Sequence, residues 1–397
     1  MKKILFIINS LNVGGAEKSL VSLLNLLPKD EYKIDLYLLR KRGIFIQQVP
    51  ECVTIKEVPF PYTCLSRKVS DFKFFLKNGL TWWIKKVYRT HLVKQSKKKQ
   101  QGSTIQLLWN RWKDDIPTLT AEYDVAVSYI EGSANYFIID KVRAKKKILW
   151  MHTIYDKWGY SPEFDKYYFE KADKVVTISN ICKESLEKNF PYIDSNKFMV
   201  LENLTSKELI TSLSKEEFDD SLFKTNKKKK ILSVGRLDPI KAYDLALKAA
   251  KELKNKGEDF IWYIVGDGKI REELEKLKTN LELDNYVYFV GAQINPYKYM
   301  RYADVVVQSS KYEGKSIVLD EAKLLGKPIV ATNYSTVTDA ITDRVTGIIT
   351  EMTPDSLANG ISEMLSDEHL RDNITANIKA MVKDNTDQLN EYINILN

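Results

Sequence analysis

Thirteen short apolar runs rich in β-branched residues, each followed by a stretch with helical spacing, constrain this chain more than any other feature. Seven lie before residue 205, at 4–8, 34–39, 53–58, 125–130, 148–150, 175–178 and 199–201. Six lie after it, at 231–234, 260–265, 287–290, 305–307, 329–331 and 347–349. Strands that are apolar throughout, and not only at alternate residues, are buried on both faces, as in parallel sheets covered by helices. The expected class is therefore α/β. Thirteen strands are too many for one ordinary doubly wound sheet, and 397 residues suit two domains of roughly 200 each. The polar stretch 205–230, rich in Ser, Lys, Glu and Asp, has little strand character and supplies the boundary. The expected layout is one Rossmann-like domain over 1–205, a second over 206–375, and a C-terminal helix over 376–397 packing back on the first. Two such domains facing one another would bind ligands in the cleft where the carboxyl ends of their strands meet.

Charge and cysteine content narrow the class. Lys and Arg number 61 against 53 Asp and Glu, a formal surplus of +8. That surplus points to an anionic partner without choosing among nucleic acid, lipid and phosphorylated ligands. Cys52, Cys64 and Cys182 have no short repeat spacing, so neither a disulfide framework nor a zinc site is expected, and a reducing cytosol fits. The apolar run at 4–8 is too short for a signal peptide. Nor does any stretch approach the roughly 18 apolar residues of a spanning helix.

The surplus is local. Eleven Lys or Arg and one acid, Asp71, fall between 67 and 99, a net +10 that leaves the rest of the chain nearly neutral. Within it Phe72, Leu76, Leu80, Trp83 and Val87 recur at steps of three or four, one face of a helix, widened by Phe75, Trp82 and Tyr88. A basic helix with Trp and Phe on its apolar side has the composition of one that lies in a membrane interface. A core helix flanked by lysine stems is the alternative. On the interfacial reading the membrane contacts are Phe72, Lys73, Lys77, Trp82, Trp83, Lys85, Lys86 and Arg89. No nucleic-acid module accompanies the patch, so no nucleic-acid partner is expected.

Three loops carry candidate chemistry. Asn12-Val13-Gly14-Gly15-Ala16-Glu17 joins a strand to a helix, where glycines allow close approach to a ligand and helix amides attract phosphate. A tight turn would need such glycines in any case. Gly235-Arg236-Leu237-Asp238-Pro239-Ile240-Lys241 follows another strand. Asp238-Pro239 there can open a helical turn, and Arg236 and Lys241 can converge on a diphosphate. Glu313-Gly314-Lys315-Ser316 opens a helix that carries Glu321. Gly314-Lys315-Ser316 is not a P-loop, because Ser309 stands where its first glycine belongs. Gly266-Asp267-Gly268 lacks the third glycine of a dinucleotide fingerprint, with Arg271 in its place.

Together, Gly14-Gly15-Ala16-Glu17, Gly-Arg-Leu with Lys241, and Glu313 with Glu321 resemble the retaining glycosyltransferases of family 4, which have the GT-B fold. The order of Tyr263–Gly268, Val290-Gly291, Ala303–Val307 and Gly326–Ala331 fits the same family. The resemblance is nearly continuous from 231 to 350 and patchier before it. It implies that Arg236 and Lys241 hold the diphosphate of a nucleotide sugar and stabilise the charge of its departure. Glu313 would bind donor-sugar hydroxyls, Gly314, Lys315, Ser316 and Ile317 would offer backbone amides, and Glu321 would accept both ribose hydroxyls. Gly14 and Gly15 would also meet the donor, and Gln293 would lie by the base. His152 matches the family's histidine near the reacting sugar, and Glu131 is placed to meet the acceptor. His91 reads as a surface residue. Front-face attack, with a diphosphate oxygen taking the acceptor's proton, needs neither a metal nor another cofactor; a covalent route through Glu313 is the competing mechanism. This sequence departs from the family's usual pattern at Ala242, where glycine is common, and at Lys315-Ser316, which leaves the sugar open.

The resulting expectation is a cytoplasmic enzyme held peripherally on the inner face of the cell membrane. It would move a hexose from a UDP-linked donor to a lipid-linked or polymeric cell-surface glycan. A nucleotide-sugar epimerase of the same fold and a non-catalytic basic binding protein are the alternatives.

Overall fold

The computed structural model describes residues 1–12, 14–98, 103–218, 220–381 and 388–397, with 97 and 98 as backbone only. All thirteen expected strands are present among them. The first sheet contains β1 (Lys2–Ile8), β2 (Tyr32–Leu38), β3 (Val53–Glu57), β4 (Glu122–Ser128), β5 (Arg143–Met151), β6 (Lys174–Thr177) and β7 (Phe198–Val200), in the order β3-β2-β1-β4-β5-β6-β7. The second contains β8 (Lys229–Val234), β9 (Phe260–Val265), β10 (Val287–Gly291), β11 (Val305–Gln308), β12 (Ile329–Thr332) and β13 (Ile348–Thr350), in the order β10-β9-β8-β11-β12-β13.

Every pairing is parallel. That follows from the unbroken apolar runs: Ile4 to Ile8 in β1 and Phe260 to Val265 in β9 are buried along their whole length, which requires a covered sheet on both faces. Each sheet also reverses its direction of growth beside its first strand, between β1 and β4 and between β8 and β11. Sheets of this kind receive ligands at such switch points.

The chain divides into two compact units. The first comprises Met1–Asn12, Ala16–Glu202 and Leu389–Asn397, and the second Asn203–Gln388 with the short segment before Ala16. The core of the second unit extends further along the chain than composition indicates. Helix Glu368–Met381 buries Ile374 and Ile378 in it, so the boundary expected at 375 falls inside a helix. Residues 382–387 of the expected terminal helix lie outside the described residues. Helix Leu389–Leu396 belongs to the first unit, where Tyr392 stacks on Trp150 at 5.8 Å and donates to the Glu202 carbonyl at 2.6 Å.

The basic stretch is built differently from the single helix that its periodicity indicates. Gly79, at φ +107°, separates helix Phe72–Asn78 from helix Leu80–Lys98. Phe75 is fully buried, and Trp82 and Trp83 pack on the first unit's core. Trp82 stacks on Trp112 at 6.2 Å, and the Trp83 indole donates to the Val69 carbonyl at 3.0 Å. Lys86 is only 4% exposed; its ammonium donates to the Leu65 carbonyl at 3.1 Å, and burial pushes its pKa down to about 8. Arg89 and Lys85 both pair with Asp115, at 2.5 and 3.0 Å.

Trp82, Trp83 and Lys86, expected at a membrane, therefore face the protein. The indoles bring large apolar area, and that of Trp83 an N–H that finds a carbonyl, so the core takes them in preference to smaller side chains. What faces outward is Phe72, Leu76, Leu80, Ile84, Val87 and Tyr88, with Leu76, Ile84 and Tyr88 at 58%, 56% and 62% exposure and Lys73 and Lys77 beside them. Lys99 of the stretch lies outside the described residues. No described helix is long and apolar enough to cross a membrane.

Candidate functional site

In the second unit, the loops leaving β8 and β11 meet across the switch point. After β8, Leu237 is buried and anchors the loop, and the Asp238 carboxylate accepts from the Ile240 amide at 3.1 Å, capping the turn Pro239–Lys241. The turn is tied to the β11 loop by two bonds of 2.8 Å, from the Ser309 hydroxyl to the Lys241 carbonyl and from the Lys311 amide to the Ile240 carbonyl. Ala242 then takes a left-handed conformation, φ +49°, the geometry that makes glycine common at this position. These constraints turn the Lys241 side chain inward, and its ammonium lies 2.5 Å from Glu313 Oε1.

Glu313 is held from three sides. Besides Lys241, Gln308 Nε2 donates to Oε1 at 3.0 Å and the Ser310 hydroxyl at 2.5 Å. Gln308, at the end of β11, is buried, and its orientation is fixed because the Tyr334 hydroxyl donates to its Oε1 at 2.9 Å. Its Nε2 also donates to Ser316 Oγ at 2.8 Å, while that oxygen accepts from the Leu319 amide and caps helix Ile317–Leu324. All three donors to Glu313 converge on Oε1, so Oε2 is the oxygen left to accept from a ligand.

Glu321 is almost fully buried one helical turn further on and accepts from the Tyr297 hydroxyl at 2.9 Å. Arg236 reaches outward, more than half exposed, with Nε 3.8 Å from Asp238. Lys269 approaches the same carboxylate at 3.6 Å. Gly314, Lys315 and Gln293 are half-buried, and Ile317 is buried. The second unit therefore brings Lys241, Glu313 and Ser316 into one bonded cluster, with Arg236 on the loop that carries Lys241.

Gln308, Ser310, Tyr297 and Lys269 are the participants that sequence reasoning missed. Only Gln308 left a signal, an amide closing a run of valines, where burial demands partners.

In the first unit His152 follows β5, and its backbone N–H donates to Glu131 Oε2 at 3.1 Å. Its Nε2 lies 3.1 Å from the Tyr129 carbonyl, and since a carbonyl only accepts, Nε2 carries the proton. Burial pushes the imidazole down to about 4, against the smaller opposing effect of that carbonyl; burial likewise raises the Glu131 carboxyl, against the hydrogen bond from His152. Gly14 and Gly15 lie in the short segment that groups with the second unit; Gly14 is half-buried, and Gly15, exposed, starts helix Gly15–Leu26.

The folded pKa of His152 lies below the ordinary value of about 6.5. The unfolded chain therefore binds more protons between the two values, and stability is full above 6.5 and declines toward pH 4. Melting temperatures followed from pH 7 to 4.5 should fall more steeply for the native chain than for His152→Asn; parallel curves would contradict the assignment.

Two parallel sheets, each covered by helices and reversing beside its first strand, define a GT-B protein. HepE of Anabaena, solved with UDP-glucose, superposes with a TM-score of 0.70 over 99% of this chain and 98% of its own, at 20% identity. Residues 214–381 match the family model of glycosyl transferases group 1, so this stretch of the second unit is similar to that family of glycosyltransferases. An uncharacterised glycosyltransferase of Methanocaldococcus jannaschii is 26% identical over 277 residues, which are 68% of this chain and 65% of the relative, just under two thirds of its length. A Campylobacter jejuni relative is 26% identical over 340 residues, 85% of this chain and 82% of its own. It is named N-acetylgalactosamine-N,N'-diacetylbacillosaminyl-diphospho-undecaprenol 4-alpha-N-acetylgalactosaminyltransferase.

Proposed function

We propose that the chain is a retaining, metal-independent glycosyltransferase of family 4. It takes a sugar from a UDP-linked donor and passes it to a hydroxyl of a lipid-linked or polymeric cell-surface glycan. The observation that carries this reading is the Lys241–Glu313 pair at the switch point of the second sheet, with Arg236 on the same loop as the lysine and Glu321 in the adjoining helix. UDP-glucose in HepE and diphospho-undecaprenol in the name of the C. jejuni relative support the choice of donor and acceptor.

The chemistry assigned to these groups is as follows. Lys241 and Arg236 bind the diphosphate, doing with fixed cations what a metal would do elsewhere. Glu313 Oε2 accepts from sugar hydroxyls, and Glu321 from the ribose. The acceptor oxygen bonds to the anomeric carbon on the face that the diphosphate leaves. The bond from that carbon to the phosphate oxygen breaks, and the proton of the acceptor hydroxyl passes to the same oxygen. Glu313 is a poor nucleophile here, because an ammonium, an amide and a hydroxyl already draw on its charge. His152, neutral with Nε2–H committed to a carbonyl, positions Glu131 through its backbone and is not a general acid in this scheme.

Thermal-shift screening against nucleotide sugars tests the reading. A ligand that binds only the folded state at 100 times its Kd adds about 2.7 kcal/mol, so UDP-sugars should raise the melting temperature and unrelated nucleotides should not. No response to any UDP-sugar would refute it. For the membrane, the outward stripe predicts binding to anionic vesicles, weakened by salt and by neutral lipid. Leu76→Ser with Ile84→Ser should reduce that binding by about tenfold, given that burying such a side chain is worth roughly 1.5–3 kcal/mol when complete. Equal binding to neutral vesicles, or none, would return the helices to a purely structural role.

A further inference from the structure

A second concave site lies wholly within the first unit. A cavity of about 280 Å³ opens beyond the carboxyl ends of β1 and β2, beside the place where the first sheet reverses. Ser10 leaves β1 into its wall, Arg40 and Arg42 leave β2, and Ser66 closes the short helix after β3; Leu65 and Leu108 form an apolar side. The sheets of the two units wind in the same order, so β1 and β2 correspond to β8 and β9. The cavity thus lies next to the position over β1 and β4 that corresponds to the Lys241–Glu313 cluster over β8 and β11, displaced toward β2.

The electrostatics of this cavity are unbalanced. Among the described residues neither Arg40 nor Arg42 forms an ion pair with a carboxylate, and neither does Arg67 nearby. Burial and the neighbouring Arg42 and Arg67 depress the pKa of Arg40, with Asp71 opposing. Arg40 is nonetheless held in place, since its Nε donates to Ser66 Oγ at 3.1 Å and that hydroxyl donates to the Thr63 carbonyl at 3.0 Å. Lys86 stands behind the apolar wall, bound to the carbonyl of Leu65. A fixed guanidinium beside two others, hydroxyls at hand and a positive excess that Asp71 only partly offsets make a receptor for a multivalent oxyanion. The adjoining leucines suit an anion attached to hydrocarbon or carbon backbone better than a free inorganic ion.

We propose that this cavity binds a phosphate group carried by the acceptor, with Arg40 and Arg42 as its ligands. The inference rests on the glycosyltransferase reading for the word acceptor, but the phosphate site itself is independent of it. Two sources would present the same group, a phosphate joining a glycan to a lipid and a phosphate in the backbone of a water-soluble polymer.

The test is titration calorimetry on the full chain with dodecyl phosphate below its micellar concentration, glycerol 1-phosphate, dodecyl maltoside and UDP. Saturable binding of dodecyl phosphate is expected, with dodecyl maltoside much weaker. Arg40→Gln with Arg42→Gln should weaken the phosphate by about tenfold or more, the effect of losing a charge-assisted pair, and leave UDP affinity unchanged. Arg42 is exposed, so Arg42→Glu alone serves if the double variant does not fold, with the same loss expected. Glycerol 1-phosphate binding as tightly as dodecyl phosphate assigns the site to polymer phosphate; a strong preference for dodecyl phosphate assigns it to a lipid linkage. Phosphate binding that survives both variants, or is matched by the maltoside, overturns the proposal. If UDP fails to bind while dodecyl phosphate does, the glycosyltransferase reading falls and the phosphate site stands.

Discussion

Glu313→Gln is expected to lower kcat for sugar transfer by about 10²–10³-fold, the scale of losing one preorganised polar contact at a reacting centre, with the Kd for UDP nearly unchanged. The substitution keeps the size and one carbonyl oxygen of the side chain, so Gln308 and Ser310 retain an acceptor. It removes the charge that meets Lys241 at 2.5 Å. Lys241, at 23% side-chain exposure, then loses its ion-pair partner, while its backbone stays tied to the Ser309 hydroxyl. The split between the two constants is informative, because Glu321 is hydrogen-bonded to Tyr297 and does not depend on this pair. Glu313→Ala should be at least as slow and also less stable, since it strands an ammonium, an amide and a hydroxyl together. Steady-state UDP release, together with calorimetric UDP affinity, reads both quantities. A Glu313→Gln enzyme with native kcat would remove Glu313 from the site.

The largest effect on stability is expected from Gly266→Ala, which should leave the second unit unfolded. Gly266 follows β9 at φ +154°, and a Cβ there would lie 1.8 Å from the Gly235 carbonyl oxygen. Two backbone bonds hold the loops at that separation, from the Gly235 amide to the Val265 carbonyl at 3.0 Å and from the Gly266 amide to the Gly291 carbonyl at 2.9 Å. Neither loop can retreat without breaking them, and backbone overlap of this depth exceeds the 1–3 kcal/mol of ordinary overpacking. Gly268 faces the same limit, 2.1 Å from the Leu237 carbonyl. Gly257 is the control. It also has positive φ, +79°, but nothing lies within 4 Å of its Cβ position, so Gly257→Ala should lose only about 1–2 kcal/mol. Soluble yield and urea denaturation compare the two, and a Gly266→Ala protein that melts with the native one would refute the argument.

That contrast also shows what the sequence could tell. Gly266-Asp267-Gly268 has no complete nucleotide fingerprint, and its glycines serve the approach of two loops rather than a phosphate. Strand positions were legible because strands buried on both faces write their burial as unbroken apolar runs. Lys241, Glu313 and Ser316 were legible as members of a family pattern, and the second unit brings them together. Tyr334, Gln308 and Ser310, which fix the carboxylate, were not, because their roles depend on how the loop after β11 folds back on itself and on Tyr334 meeting Gln308 from the loop after β12. The helices from Phe72 to Lys98 misled for a different reason. Both of their faces are apolar, periodicity alone cannot say which one is inside, and the glycine that divides them lies between two well-formed helical patterns.

The placement of helix Leu389–Leu396 has a practical meaning for recombination. Each unit owns its core, so exchanging first units between relatives at the Glu202–Asn203 junction is the obvious way to build a hybrid. Such a chimaera would still carry the host's last helix, and Tyr392 would then be asked to cover a foreign residue in place of Trp150. The exchangeable module is discontinuous: a swap that keeps the first unit's core has to take Met1–Asn12, Ala16–Glu202 and the final nine residues together.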